Sequence, residues 1–166
     1  MIKLVGAVTV FSVFGWCGYE KKRWYAQRVN CLRQWQNALL EGERMLCDLG
    51  LPTPDFVKQL EQYSSLREAA KHCLLLLQQE ETFEPAWKKA IERANLPLYR
   101  EEAGMLIELG QILGRYDGDE QRRVIKVQLS RIEELLRHGE EECRCLGRMW
   151  SVLGLSLGAL AVILLY

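Results

Sequence analysis

Proline and histidine are scarce in this chain, with four and two among 166 residues. So few prolines, with long runs free of β-branched residues, argue against an all-β chain. Two histidines, with no Ser/His/Asp or Cys/His set at a recognisable spacing, leave nucleophilic catalysis without support. A surplus of positive charge is missing too, since 22 Lys and Arg face 22 Asp and Glu. That excludes a basic nucleic-acid binder, whose phosphate contacts need one. The six cysteines include no Cys-x-x-Cys pair. His72-Cys73, and His138 with Cys143 and Cys145, are therefore weak as zinc ligands. What the chain does have is 49% hydrophobic residues, enough to bury a core and to exclude a disordered acidic tail.

The balance of charge is an average over unlike parts. Outside residues 20–148 the only charged side chain is Lys3; residues 4–19 and 149–166 have none. As helices these two runs would reach about 24 and about 27 Å, at the short end for a hydrocarbon core. Lys3 can snorkel outward, and Trp16, Tyr19, Trp150 and Tyr166 suit the interface. A cleaved signal peptide fits the first run less well. Its positive charges, Lys21, Lys22, Arg23 and Arg28, follow the apolar stretch, and Gly15-Trp16-Cys17 sets a tryptophan beside any lipoprotein-type cleavage. In the second run Val152, Leu153, Leu155, Leu157, Leu160, Val162, Ile163 and Leu165 cover every face of a helix. The pattern predicts transmembrane helices at 1–19 and 149–166, with residues 20–148 between them. Arg137, Arg144 and Arg148 match the basic group at the other end, so the positive-inside bias places the middle in the cytoplasm and both termini outside. Cys31, Cys47, Cys73, Cys143 and Cys145, with no disulfide-framework spacing, agree with a reducing compartment.

The middle segment reads as helices throughout. Leu32, Trp35, Leu39, Leu46 and Leu49 recur at three and four residues, with Gly42 in the missing slot. Gly50 and Pro52 end that helix. Thr53-Pro54-Asp55 has a capping hydroxyl, a first-turn proline and an acid, and opens a helix burying Phe56, Leu60 and Tyr63. Ser65-Leu66-Arg67-Glu68 has capping-box spacing for a helix with Ala69, Cys73, Leu74 and Leu77 inward. Thr82 caps a fourth, bearing Trp87, Ala90, Ile91 and Ala94, that Leu96-Pro97 breaks. A fifth, over about 99–114, carries Leu106, Leu109 and Leu113. Gly114-Arg115-Tyr116-Asp117-Gly118 is a turn cluster. A last helix from about Asp119 bears Ile125, Leu129, Ile132, Leu136, Cys143 and Leu146. The fold expected is all-α, an antiparallel bundle of about six helices joined to both spans without a Gly/Ser or Pro-rich linker.

Gly110-Gln-Ile-Leu-Gly114 has no strand before it and no Gly-Lys-Ser/Thr after it, so a phosphate loop is excluded. Glycines four apart on a helix permit close packing, and Gly154 and Gly158 repeat the spacing in the second span. Glu133-Glu134 and Glu140-Glu141-Glu142 read as a solvated face that can also meet a basic partner. No cofactor, metal or small-molecule substrate is implied, and an enzyme acting on lipid or phosphate groups has no residue set behind it.

Beyond these elements the chain resembles a known family. The opening Met1-Ile-Lys-Leu-Val-Gly-Ala, the Leu32-Arg33-Gln34 helix with Ala38-Leu39, and Gly50 followed by Pro54 are similar to the start of the stage III sporulation protein AB family. More specific is the stretch Leu106-Ile-Glu-Leu109-Gly110-Gln-Ile-Leu113-Gly114-Arg-Tyr-Asp117-Gly-Asp-Glu-Gln121. It resembles that family's two Leu-Gly steps followed by an acid and a Gln that opens the last helix. The likeness runs to the glycine-containing apolar end, Val162-Ile-Leu-Leu165. Departures are Trp24, Cys31 and Trp35, and Leu49 where an aromatic is expected; they leave the fold implied by the resemblance intact but make an exact partner surface harder to carry over.

The resemblance implies a helical domain like the cytoplasmic domain of the platform protein F of type II secretion and type IV pilus systems. It further implies a non-enzymatic platform of the channel, a secretion-like apparatus, between mother cell and forespore in endospore-forming bacteria. The expected location is the cell membrane on the mother-cell side. Expected partners are the secretion-type ATPase of that apparatus and its other membrane components, with room for a homo-oligomer. A different class stays open, a membrane-anchored helical adaptor or regulator outside any channel.

Overall fold

The structure, a computed structural model, describes residues 2–79, 82–113 and 118–165. Near both ends it gives the helical backbone but only some side chains. Among the described residues the chain is entirely helical: α1 (Ile2–Glu43), α2 (Thr53–Gln59), α3 (Arg67–Gln78), α4 (Phe83–Arg93), α5 (Arg100–Leu113) and α6 (Gly118–Leu165). Two tighter or wider turns, a π turn at Arg44–Asp48 and a 3₁₀ turn at Leu60–Gln62, extend α1 and α2. Two compact units result, one of Asn30–Leu136 and one of Met1–Val29 with Arg137–Tyr166.

The core of the first unit follows from the three-and-four spacing of apolar residues. Cys31, Trp35, Ala38 and Leu39 are buried from α1, then Phe56 and Val57 from α2, and Ala69, Ala70 and Cys73 from α3. Trp87, Ala90 and Ile91 of α4, Leu106, Leu109 and Leu113 of α5, and Ile125 and Ile132 of α6 complete it. Successive helices pack in turn: α2 on α3, α3 on α4, α4 on α5. Gly42 is a close approach, because a Cβ there would stand 2.5 Å from Phe56 Cε2 and 3.0 Å from Cδ2. The slot that interrupts the leucine stripe is filled by the phenyl ring of α2.

Several local expectations are corrected. Leu49 is 61% exposed. The π turn, with the Leu49 N–H bonded to the Arg44 carbonyl at 3.1 Å, advances the chain out of register with the α-helical stripe. Gly50 then takes φ +62, the left-handed conformation a helix stop favours. Tyr63 is only half-buried. Ser65 does not cap α3, whose N-cap is Leu66 with no side-chain bond. The Ser65 N–H instead donates to Gln34 Oε1 at 2.8 Å, and Gln34 Nε2 donates to Ser64 Oγ at 3.0 Å. A glutamine of α1 thus holds the serine turn. Thr82 stands at the N-cap of α4 with no side-chain bond. Past α4, Asn95 adopts φ 44, a left-handed residue of a type that tolerates it, ahead of Leu96-Pro97. At α5 the Glu102 carboxylate accepts the Tyr99 N–H at 2.9 Å, the reciprocal half of a capping box.

In the second unit Arg28 is buried and its Nη1 donates to Glu142 Oε2 at 2.5 Å, joining α1 to α6. Five residues along, Gly147 faces Lys22, whose Cγ would be 3.4 Å from an added Cβ. Among the described residues no helix is long and apolar enough to cross a membrane. Many of the apolar residues of 4–19 and 149–166 on which the expectation of two spans rests have side chains outside the described ones. The turn cluster at 114–117 also lies outside the described residues.

Burial sets the chemistry of the core thiols. Loss of solvation pushes the Cys31 thiol up to about 12 from an ordinary value of 9.0, helped by the Glu102 carboxylate and opposed by a hydrogen bond with Ser65. Burial alone pushes Cys73 up to about 11. Both are neutral thiols in the fold, while the unfolded chain ionises them near 9.0. Their contribution is therefore whole below pH ~9 and is lost as pH rises from there toward the folded values. A thiol reagent at pH about 8 should label exposed Cys145 and spare Cys31 and Cys73 until denaturant is added. The urea midpoint should fall more steeply above pH ~9 in the native sequence than in a Cys31→Ala/Cys73→Ala chain, and parallel curves would contradict this.

Candidate functional site

The signature stretch of α5 and α6 is a packing site. Leu109 and Leu113 are buried. Gly110 lies under the indole of Trp87 from α4, where an added Cβ would collide with Cδ1 and sit 2.7 Å from Cγ. The same indole donates from Nε1 to the Leu106 carbonyl at 2.7 Å. Leu106 is one turn before Gly110, so the ring reaches that carbonyl across a helix face without side-chain cover. The N–H of a buried tryptophan usually finds a partner, and for Trp87 the backbone of α5 supplies it. Around Trp87 stand Trp35, edge-on with centroids 5.8 Å apart and planes at 79°, and Phe83, stacked at 5.8 Å and 27°.

A second junction forms on the carbonyl of Leu113, the last described residue of α5. Gln121 is buried on α6 and its Nε2 donates to that oxygen at 3.3 Å. The Thr53 hydroxyl donates to the same oxygen at 3.2 Å. This corrects the expectation for Thr53: the N-cap of α2 is Pro52, and Thr53 is in the first turn. A helix end leaves its last carbonyls without intrahelical partners, and here one side chain from α2 and one from α6 donate to such a carbonyl. Gly114 and Asp117 lie outside the described residues. Gly154 and Gly158 are on α6, with surroundings also outside the described residues.

Of the expected positions, the structure brings Leu109, Gly110, Leu113 and Gln121 into one region. Thr53, Trp87 and Phe83, absent from the signature, complete it. Trp87 was legible as a core residue of its helix, but nothing in the sequence pairs it with Gly110. Surface ion pairs link the same elements: Arg122 to Asp48 at 2.5 Å, Lys126 to Glu43 at 3.8 Å and Arg131 to Glu108 at 3.9 Å. Exposed pairs of this kind contribute about 0–1 kcal/mol each. Among the described residues no three His, Cys, Asp or Glu side chains gather as metal ligands. An open groove is lined by Asn37, Leu40, Glu41, Arg44 and Tyr63.

These contacts define a helical bundle protein whose signature residues join helices. The sequence model of the stage III sporulation protein AB family matches residues 3–166. A stage III sporulation protein AB from Bacillus subtilis (strain 168) is 30% identical over 172 residues, covering 99% of each chain. A solved structure of stage III sporulation protein AB superposes with a TM-score of 0.64 at 20% identity, over 70% of this chain and 96% of that one. The chain belongs to the stage III sporulation protein AB family, and the solved relative shares its fold.

Gly110→Ala should destabilise the purified chain by about 1–3 kcal/mol, because indole and helix must separate to admit the methyl group. A denaturation midpoint equal to that of the unaltered chain would place Gly110 away from Trp87. Thr53→Val and Gln121→Leu should each cost about 0.5–1.5 kcal/mol. The double substitution should cost more than the sum, since it strips the Leu113 carbonyl of both these side-chain donors. Strict additivity in a double-mutant cycle would refute a shared acceptor.

Proposed function

We propose that this chain is a non-enzymatic membrane platform of the channel between mother cell and forespore, and that it docks the secretion-type ATPase of that apparatus. The observation that carries the reading is the family match from residue 3 to residue 166, which takes in both charge-poor ends as well as the bundle. In this reading residues 1–19 and 149–166 cross the mother-cell membrane, the termini lie outside, and residues 20–148 face the cytoplasm. Support comes from the charge pattern: Lys3 is the only charged side chain in either end, while Arg and Lys flank the middle segment on both sides. A platform has to keep its shape under load. The buried junctions of Trp87 with Gly110 and of Thr53 and Gln121 with Leu113 suit that task, and the signature residues have no reactive role in it.

Deleting the gene should block formation of heat-resistant spores after engulfment, and normal spore yield would reject the reading. Proximity labelling from within residues 20–148 should tag the ATPase. Its absence among tagged neighbours, in cells that do depend on the gene, would favour an adaptor outside the channel.

A further inference from the structure

Within the unit of Met1–Val29 and Arg137–Tyr166, two stretches far apart in sequence meet. Gly147 of α6 faces Lys22 of α1, and the buried Arg28 bonds to Glu142. The contact at Gly147 puts Lys21, Lys22 and Arg23 level with Arg144 and Arg148, which lie within a helical turn of Gly147. All five are exposed. No ion pair among the described residues holds any of them. Glu20 is the one exposed acid at that level, since Glu142 is engaged by Arg28 and Glu140 and Glu141 lie farther along α6. On the side toward the chain ends the next exposed large side chains are Trp16 and Tyr19 from α1, and Met149 and Trp150 from α6.

We propose that these five cations form a collar that binds the anionic headgroups of phospholipids. A basic band bordered by tryptophan and tyrosine, then by a charge-free run, matches the order of a membrane–water interface: headgroups at the cations, aromatics at the boundary, acyl chains beyond. Five cations with no ion pair among the described residues, against one exposed acid at that level, give the negative leaflet several units of charge to hold. An acidic protein partner would not account for the aromatic and apolar residues on one side only. The inference rests on the membrane reading above and adds a lipid preference to it.

The full chain is reconstituted in phosphatidylcholine vesicles with a trace of spin-labelled phosphatidylglycerol or spin-labelled phosphatidylcholine. The fraction of each label slowed by contact with protein is then read. Phosphatidylglycerol should be favoured about threefold or more at low salt. The ratio should approach one near ~1 M salt, where screening acts within about 3 Å. Replacing Lys21, Lys22, Arg23, Arg144 and Arg148 with Gln should abolish the preference, and exchanging Lys for Arg and Arg for Lys should preserve it. If the fivefold variant does not insert, Arg144→Gln with Arg148→Gln alone should lower the ratio part-way. A ratio near one in the unaltered chain, or one that the Gln variants leave unchanged, overturns the collar. Extraction of the unaltered chain from vesicles by alkaline carbonate overturns the membrane reading itself, whereas retention with no lipid preference overturns only the collar.

Discussion

The hydrogen bond from Trp87 Nε1 to the Leu106 carbonyl, at 2.7 Å, is possible only where α5 presents bare backbone. Gly110 provides that opening, one turn on. A Cβ at Gly110 would collide with the Trp87 ring, and an indole N–H is costly to bury unpaired, by about 1–3 kcal/mol. Both problems are solved by one glycine. Trp87 then serves as the floor for Trp35 and Phe83, so one indole joins α1 through ring contact and α5 through its N–H, within a core that also holds Leu39, Leu106 and Leu109. Trp35 Nε1, by contrast, is buried with no hydrogen-bond partner among the described residues. The core thus satisfies one of its two central indoles, and the satisfied one is seated on the signature glycine.

The Leu113 carbonyl shows the same economy at the end of α5. Thr53 and Gln121 approach it from segments 60 and 8 residues away in sequence. A single backbone oxygen gathers the start of α2, the end of α5 and the first turns of α6. Gln121 in the signature therefore acts as a donor to a helix end. Leu109 and Leu113 fill the layer beneath.

Helices and core were legible because burial imposes a 3.6-residue period that local sequence displays directly. Trp35, Leu39, Phe56, Cys73, Trp87, Ile91, Leu109 and Ile125 all sit where that period put them. Helix ends were not legible in the same way. Ser65 and Thr53 have the chemistry of N-caps, but Gln34 competes for the Ser65 N–H and the Leu113 carbonyl takes the Thr53 hydroxyl proton. Those competitors come from other helices, so no window of sequence around the serine or threonine contains them. Leu49 failed for a related reason, since a π turn adds a residue to the helical count and shifts every later position off the stripe. The candidate site was half legible: Gly110 and its spacing marked a close approach, while Trp87, 23 positions earlier, could be found only through the fold.

Arg28 raises a different constraint, because a guanidinium cannot shed its proton and must be paired wherever it is buried. Its side chain is 4% exposed, and Glu142, 39% exposed, is the partner within 2.5 Å. A pair of this kind adds little net stability over an apolar contact of equal size, but sliding one helix past the other would pull Glu142 away from a buried guanidinium, and breaking such a pair costs about 3–5 kcal/mol. Leucine-like contacts tolerate a one-turn slip, and an ion pair does not. The bond therefore fixes the level at which α1 and α6 meet, and Gly147 opens the space that lets the Lys22 stem lie against α6 at that level. The height of the basic residues along the two helices is then a consequence of one buried arginine.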